Sequence, residues 1–228
     1  MDRPTAPVPA TPPLFSAGRL AARALVPREV PLLQALFDAN PLYFQAVNGR
    51  APHADEAQQE FDELPPPHLP FTQRWFLGLF ERGDDADAGH APRGGALQGV
   101  AVALQDFCAP GVWHLSLYLL ATALHGSGVA AGTYHAWEAW MANRGARWLR
   151  LGVVAGNTRA ERFWQAQGYT EVRRRDGIDT GGRINSVRVL AKPLADGRLD
   201  DQAADRVADH IAGYLALVPR DHPDSTLP

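Results

Sequence analysis

A glycine-rich turn directly after a long apolar segment is the feature that most constrains how this chain can fold. The apolar segment "WHLSLYLLATAL" (113–124) leads into "HGSGVAAG" (125–132), and a helical pattern follows. The apolar run is typical of a strand buried in a sheet. Glycines leave main-chain N–H groups accessible, and a helix that begins there directs its positive end at the turn. This order of strand, turn and helix predicts a phosphate-binding loop.

Composition limits the classes of protein to which the chain can belong. Its 228 residues, 46% of them hydrophobic, are enough for one domain with a full core. The net charge of −3 and the absence of a basic block argue against nucleic-acid partners. The single cysteine, Cys108, cannot form an internal disulfide and fits a reducing compartment. No apolar stretch is long enough for a membrane span, so we expect a cytoplasmic protein without membrane contact.

The pattern along the chain predicts three segments. Residues 1–17 contain five prolines and are expected to be a disordered leader. Residues 18–194 read as strand, two helices, three strands, helix, strand, helix and two strands, which predicts an α/β (α+β) domain with a mixed sheet. Residues 195–228 contain an amphipathic helix that we expect to pack on its own domain or on a second copy in a homodimer.

The glycine turn also fits a second kind of phosphate site. Gly126-Ser-Gly128-Val-Ala-Ala131 matches the dinucleotide pattern G-x-G-x-x-A. That fold requires an acidic residue about 20 positions later, at the end of the next strand. The next strand here ends in "LGVVAGN" (151–157), which has no acid. A dinucleotide-dependent reductase is therefore the weaker interpretation.

Two segments resemble the GNAT superfamily of acyl-CoA-dependent N-acyltransferases. His125-x-x-Gly128-x-Ala130 is similar to the R/Q-x-x-G-x-G/A signature, and "NTRAERFWQAQGY" (157–169) is similar to N-x-x-A-x-x-F-Y-x-x-x-G-F/Y. The resemblance covers roughly residues 18–194. It implies a mostly antiparallel sheet in which two central strands splay apart, and acetyl-CoA as the acyl donor.

The resemblance also implies roles for individual residues. The turn would bind the coenzyme diphosphate, Tyr118, Leu119 and Leu120 would lie along the pantetheine arm, and the Tyr118 N–H would polarise the thioester carbonyl. The implied coenzyme-binding residues are Tyr118, Leu119, Leu120, His125, Gly126, Ser127, Gly128, Val129, Ala130, Asn157, Ala160 and Phe163. Two positions depart from the pattern: His125 replaces Arg or Gln, and Trp164 replaces a tyrosine that can protonate the leaving thiolate.

Simple strand alternation would place His114, Ser116 and Tyr118 on one face of their strand. We therefore expect His114 to be the general base for the amine and Ser116 to order a water molecule. Asn40, Tyr43 and Phe44 in the first helices are predicted to line the acceptor site. The alternative for His114 is a place at a half-solvated strand end, and the alternative for Tyr43 and Phe44 is that they are ordinary core aromatics.

These observations predict an enzyme that transfers the acetyl group of acetyl-CoA to a primary amine by direct attack in a ternary complex. The acceptor, a small molecule or a peptide, is not identified by the sequence. No spacing of His, Cys, Asp or Glu suggests a metal site. A module that binds coenzyme A without turnover is the alternative, and the tryptophan at position 164 favours it.

Overall fold

The computed structural model describes residues 12–82, 95–194 and 212–218. These residues form a single eight-stranded sheet with helices on both faces. In chain order the elements are β1 (Phe15–Ala17), β2 (Leu20–Ala24), α1 (Val30–Asp38), α2 (Pro41–Val47), α3 (Glu56–Asp62), β3 (Gln73–Glu81), β4 (Leu97–Gln105), β5 (Val112–Leu120), α4 (Val129–Ala142), β6 (Trp148–Val154), α5 (Thr158–Ala166), β7 (Thr170–Asp179), β8 (Ile184–Pro193) and α6 (212–217).

The sheet has the strand order β1-β2-β3-β4-β5-β6-β8-β7. Every neighbouring pair is antiparallel except β5 and β6, which run parallel. A parallel pair needs a long crossover connection, and here α4 provides it. The predicted mixed, mostly antiparallel α/β fold is confirmed.

Each face of the sheet has its own hydrophobic core. On the first face, α1 to α3 cover β3 to β5, with Leu33, Phe37 and Leu117 in one buried cluster. On the second face, α4 and α5 enclose an aromatic core that includes Trp113 and Trp137, both with no exposed surface. We call these the α1 face and the α4 face. The two cores fix which side of the sheet each residue of β5 occupies.

The helical stretch predicted after the first strand is divided into α1 and α2. Pro41 lies at the start of α2, and Asn40 before it has non-helical dihedral angles of −125° and 49°. Proline cannot donate the main-chain hydrogen bond that a continuing helix needs, and its ring disfavours a helical conformation in the preceding residue. The chain therefore changes direction there, and this places α2 at the edge of the α1 face.

The domain begins earlier in the chain than its composition suggests. Residues 15–17 were expected to be disordered, but they form β1 and pair with β2, and the Phe15 ring packs against Trp140. The leader prediction is therefore wrong for those residues. The rest of the leader up to residue 11, the loop at 83–94 and the acidic segment at 195–211 lie outside the described residues.

The described part of the C-terminal segment packs on the chain's own sheet. Tyr214 and Val218 have no exposed surface, and they share a cluster with Val112, Val189 and Ala191 on the α1 face. Tyr214 also lies against the Trp148 ring. Of the two expectations for this segment, packing on its own domain is the one that these contacts support.

We predict that Tyr214→Ala destabilises the whole domain. Removing a fully buried aromatic side chain costs about 3–5 kcal/mol of unfolding free energy. Leu217, which is 43% exposed, is the matched control, and Leu217→Ala should cost well under half as much. Urea unfolding followed by tryptophan fluorescence measures both. Equal stability of the Tyr214 variant and the unsubstituted chain would contradict the packing of α6 as part of the domain.

Candidate active site

Strands β5 and β6 separate halfway along their length. Their register pairs run only from Val112 with Trp148 to Leu115 with Leu151, although β5 continues to Leu120 and β6 to Val154. Within the described chain, no β6 residue pairs with residues 116–120. That stretch of β5 therefore has a main-chain edge directed into an opening in the middle of the sheet. An extended ligand could add to this edge as a further strand would.

A β-bulge in β5 lies at the same point. The β4–β5 register passes from Val102 with Leu117 to Ala103 with Leu115, which leaves Ser116 as the extra residue. A bulge of this kind reverses the alternation of side chains that follow it. Leu115 and Tyr118 consequently both lie on the α4 face, whereas Leu117 and Leu119 lie on the α1 face.

The bulge corrects the prediction made from strand alternation. His114, which precedes the bulge and alternates with Trp113 and Leu115, points to the α1 face, opposite Tyr118. Ser116 is the exposed residue of the strand, and its hydroxyl lies 3.5 Å from the Val102 carbonyl. His114 and Tyr118 therefore lie on opposite faces of the sheet, and one face does not hold all three residues.

The glycine turn follows β5 at the open end of the sheet. Gly126 and Gly128 have φ of 78° and 81°, in the left-handed region that favours glycine. No atom lies within 4 Å of where a Cβ would project from either residue. Gly128 caps the 14-residue helix α4, whose first turn contains no acidic residue. Open space, main-chain N–H groups and a helix dipole make this turn suitable for an anion such as a diphosphate.

The His125 side chain is turned back toward β5. Its Nε2 lies 3.0 Å from the Leu120 carbonyl oxygen, which accepts a hydrogen bond when Nε2 carries the ring proton. Burial is the main factor that lowers the pKa of His125 below its usual value, and the nearby positive charge of Arg159 adds to this effect. At neutral pH the ring is therefore uncharged. His125 shapes the turn, and the exposed guanidinium of Arg159 is the positive charge in its vicinity.

Helix α5 closes the opening from the α4 face. Asn157 caps this helix by accepting a hydrogen bond from the Ala160 N–H at 3.3 Å, so its amide nitrogen is the group available to donate. Ala160 and Phe163 are partly buried beside the core, and the Phe163 ring stacks on Tyr118 at 6.1 Å. Tyr118 is anchored in turn by a 2.7 Å hydrogen bond from its hydroxyl to the Ala130 carbonyl.

Trp164, which is also in α5, belongs to the aromatic core of the α4 face. It is 8% exposed and lies with its ring centre 5.3 Å from those of both Tyr134 and Tyr169. The Tyr134 hydroxyl donates to Glu138, which also pairs with Lys192 at 2.5 Å. Burial raises the pKa of Tyr134, as does the nearby Tyr169. These tyrosines therefore keep their protons over the physiological range.

His114 is buried beside a second buried ionisable group, Arg150. His114 is 3% exposed, Arg150 has no exposed surface, and Nη1 of Arg150 lies 2.7 Å from Nδ1 of His114. A guanidinium can only donate, so Nδ1 accepts and the ring proton is on Nε2. Burial lowers the pKa of His114 well below its usual value, and the Arg150 charge lowers it further. His114 is thus a neutral, enclosed imidazole, which makes it a poor candidate for the general base.

Two of the three residues predicted to line the acceptor site make contacts within the folded domain instead. The Asn40 side chain accepts from the N–H and the hydroxyl of Thr122 at 2.8 and 2.7 Å and donates to the Leu36 carbonyl at 2.6 Å. Phe44 is 4% exposed within the core of the α1 face. These contacts argue against acceptor roles for Asn40 and Phe44. Tyr43 is partly buried, and its pKa is raised by burial and by Glu60.

Sequence reasoning missed Arg150, although a signal for it was present. "RWLRLGVV" (147–154) is an apolar strand with an arginine at its centre, and a charge is rarely buried unless it is paired. That rule predicts a partner but cannot identify it from spacing, because His114 is 36 residues away. Arg159 was missed for a different reason: it is exposed and differs from other surface arginines only in lying near His125.

Metal sites and membrane spans are both absent from the described residues. In that part of the chain, no three His, Cys, Asp or Glu side chains are grouped so that they could hold a metal ion. Nor is any helix within the described ranges both long and apolar enough to cross a membrane.

Comparison with known proteins agrees with this geometry. The family model described as "Acetyltransferase (GNAT) family" matches residues 50–169, which is more than half of the chain. No curated protein matches the chain in sequence.

Several solved structures share the fold. An acetyltransferase from Thermus thermophilus has a TM-score of 0.55 at 24% identity, covering 77% of this chain and 97% of that one. A GNAT-family acetyltransferase from Bacillus anthracis has a TM-score of 0.57 at 10% identity, with coverages of 78% and 97%. Spermidine N-acetyltransferase from Vibrio cholerae, in complex with CoA and spermine, has a TM-score of 0.54 at 14% identity, with coverages of 77% and 96%. At these identities the likeness establishes the fold.

The His114–Arg150 pair predicts a specific pH dependence of stability. In the unfolded chain His114 binds a proton with a pKa near 6.5, whereas in the folded chain its pKa is far lower. The unfolded state therefore binds more protons below pH 6.5, and the folded state loses stability as the pH falls, by up to about 1.4 kcal/mol per pH unit.

His114→Gln keeps an acceptor for Arg150 but cannot titrate. Urea unfolding at several pH values between 7.5 and 5 should show a shallower loss of stability in this variant than in the unsubstituted chain. The same slope in both proteins would mean that His114 is protonated in the folded state as readily as in the unfolded one.

Proposed function

The chain belongs to the acetyltransferase (GNAT) family, and we propose that it transfers the acetyl group of acetyl-CoA to a primary amine by direct attack in a ternary complex. The observation that carries the proposal is the combination of the glycine turn and the parted strands. The turn suits a diphosphate, the edge of β5 suits an extended arm, and both lie at one end of the sheet. A ligand with a diphosphate and a peptide-like arm fits both features.

The residues around the glycine turn and the opening fit each part of coenzyme A. The main-chain N–H groups of residues 126–130 would bind the diphosphate, and Arg159 would add a positive charge nearby. The free edge of residues 116–120 would bind the amide groups of pantetheine, with Asn157 and Phe163 along its side. When bound, acetyl-CoA supplies an acetyl group activated as a thioester.

The place of Tyr118 in β5 supports a role for its main chain in polarising the thioester. Its N–H is in the strand segment next to the opening, directly after the bulge that ends at Leu117. A preorganised N–H aimed at a carbonyl oxygen stabilises negative charge that develops during attack. The Tyr118 side chain holds this main chain in place through its bond to Ala130. We assign Tyr118 this donor role and Ser116 the ordering of a water beside it.

The proton balance follows from the chemistry of the transfer. The amine nitrogen forms a bond to the acetyl carbon as the C–S bond breaks, and coenzyme A leaves as a thiolate. The amine must first lose the proton it carries at neutral pH, since an ordinary ammonium has a pKa near 10. The nitrogen loses a second proton as the amide forms, and the leaving thiolate takes one up. His114 is enclosed and Trp164 cannot titrate, so we propose that water at Ser116 carries the first proton to solvent and the second to the thiolate sulfur.

The lack of a base at His114 and of an acid at Trp164 supports a second candidate function. A protein that binds coenzyme A without turnover needs neither a base nor an acid, and neither His114 nor Trp164 provides one. Incubation of acetyl-CoA with a panel of primary amines, amino acids, polyamines and peptides distinguishes the two functions. Thiol release above background hydrolysis, with the acetylated amine found by mass spectrometry, supports the enzyme. Saturable binding of coenzyme A with no acetylated product across the panel supports the binding module.

We predict that Gly128→Ala weakens coenzyme A binding by roughly tenfold. Alanine is disfavoured by about 1–2 kcal/mol at a φ of 81°, so the free turn of the variant relaxes away from this conformation and has to regain it on binding. Its methyl group would also project into the space proposed for the diphosphate. Isothermal titration calorimetry with coenzyme A measures the dissociation constant of each protein.

Gly132→Ala is the matched control for this experiment. Gly132 lies inside α4 with no atom within 4 Å of its would-be Cβ, so alanine there should leave the affinity unchanged. An affinity that falls equally in both variants, or in neither, would place the diphosphate elsewhere.

A further inference from the structure

A short connecting segment, Thr122–Leu124, lies between the end of β5 and the glycine turn. It forms one turn of 3₁₀-helix, and the His125 N–H donates to the Thr122 carbonyl at 3.0 Å. Ser127 in the glycine turn also bonds back to the segment, through a 2.6 Å hydrogen bond from its hydroxyl to the Leu124 carbonyl. The position of the glycine turn therefore depends on the position of the connecting segment.

Asn40 holds the connecting segment from the α1 face. Its side-chain oxygen accepts two hydrogen bonds from Thr122, one from the N–H at 2.8 Å and one from the hydroxyl at 2.7 Å. Its side-chain nitrogen donates to the Leu36 carbonyl in the last turn of α1 at 2.6 Å, so both ends of the amide group are fixed. Asn40 is 2% exposed, and hydrogen bonds shielded from water in this way are stronger than those at the surface.

Packing between α1 and the connecting segment is incomplete beside this contact. A cavity of about 410 Å³ lies between α1, the start of β4 and the segment, and Ala39, Ala121 and Ala123 are among the residues around it. Of the described residues outside the glycine turn, Asn40 is the only one whose side chain hydrogen-bonds to Thr122–Leu124. The amide of Asn40 is therefore the main polar link between this segment and the helices of the α1 face.

This link has a consequence for coenzyme binding, given the proposed function. We propose that Asn40 is a positioning residue: it holds the connecting segment so that the main-chain N–H groups of the glycine turn are already placed for the diphosphate of coenzyme A. Asn40 acts through Thr122, since its own side chain is buried. A preorganised site binds more tightly than one that has to become ordered on binding. Loss of the contact therefore reduces coenzyme affinity and leaves the chemical step unchanged.

Substitution of Thr122 tests this role without disturbing the core, because Thr122 is exposed. Thr122→Val keeps a similar shape and removes the hydroxyl that donates to Asn40. Coenzyme A should bind about threefold to tenfold more weakly to this variant, as expected for the loss of one hydrogen bond. Thr122→Ser retains the hydroxyl and should restore the affinity. Isothermal titration calorimetry measures each dissociation constant.

Thr170→Val is the matched control for these variants. Thr170 lies at the start of β7, the edge strand of the sheet, and makes no contact with the connecting segment. Its substitution should leave the affinity for coenzyme A unchanged.

A double-mutant comparison separates the specific contact from general damage. Asn40→Ala removes both hydrogen bonds to Thr122 and should weaken binding by about tenfold or more. In Asn40→Ala/Thr122→Val the second substitution should add no further loss, because the hydroxyl has no partner left to lose. Losses that multiply would contradict the contact as their common cause. If Asn40→Ala does not fold, as judged by urea unfolding, the Thr122 variants decide the question alone.

Steady-state kinetics provides a second readout. Thr122→Val should raise the KM for acetyl-CoA by the same factor as the dissociation constant and leave kcat unchanged, the pattern of lost uniform binding. If coenzyme A binds and no amine is acetylated, the proposed function fails and the dissociation constants still decide the role of Asn40. Affinities within about twofold of one another in the unsubstituted, Thr122→Val and Asn40→Ala proteins would overturn the proposal, as would equal losses in Thr122→Ser and Thr122→Val.

Discussion

The parting of β5 from β6 is the constraint on which the rest of the structure depends. Four residue pairs hold the two strands together, and beyond Leu115 they diverge at the centre of the sheet. An open main-chain edge inside a protein is costly unless something pairs with it. The glycine turn lies at the end of this edge and α5 lies beside it on the α4 face. Ligand binding would complete the sheet at its centre.

The bulge at Ser116 alters that edge locally. It gives β5 one residue more than its partner, exposes a single polar side chain and turns Tyr118 toward the α4 face. His114 precedes the bulge, in the part of β5 that pairs with β6, and lies on the other face beside Arg150. A buried arginine needs an acceptor, and a neutral imidazole provides one without a charge of its own. We therefore regard His114 as a positioning residue for the strand.

The sequence allowed much of this architecture to be predicted, because its strongest signals are local. Gly126 and Gly128 fall where the chain needs positive φ and an open approach, and α4 follows them as the helical pattern predicts. The bulge left no such signal, because "HLSLYLL" reads as regular alternation and the extra residue appears only when β5 is paired with β4. The hydrogen bond from the Thr180 hydroxyl to the Val47 carbonyl was equally hidden, since the two residues are 133 positions apart in sequence.

The central claim is that one ligand occupies both the glycine turn and the parted strands, and amide NMR tests it most directly. The chain labelled with nitrogen-15 would be titrated with desulfo-coenzyme A, which binds without reacting. The account predicts that the amide signals of residues 116–120 and 126–130 shift together along a single saturation curve. Saturable binding that leaves both segments unmoved, or that shifts the turn without the strand, would contradict it.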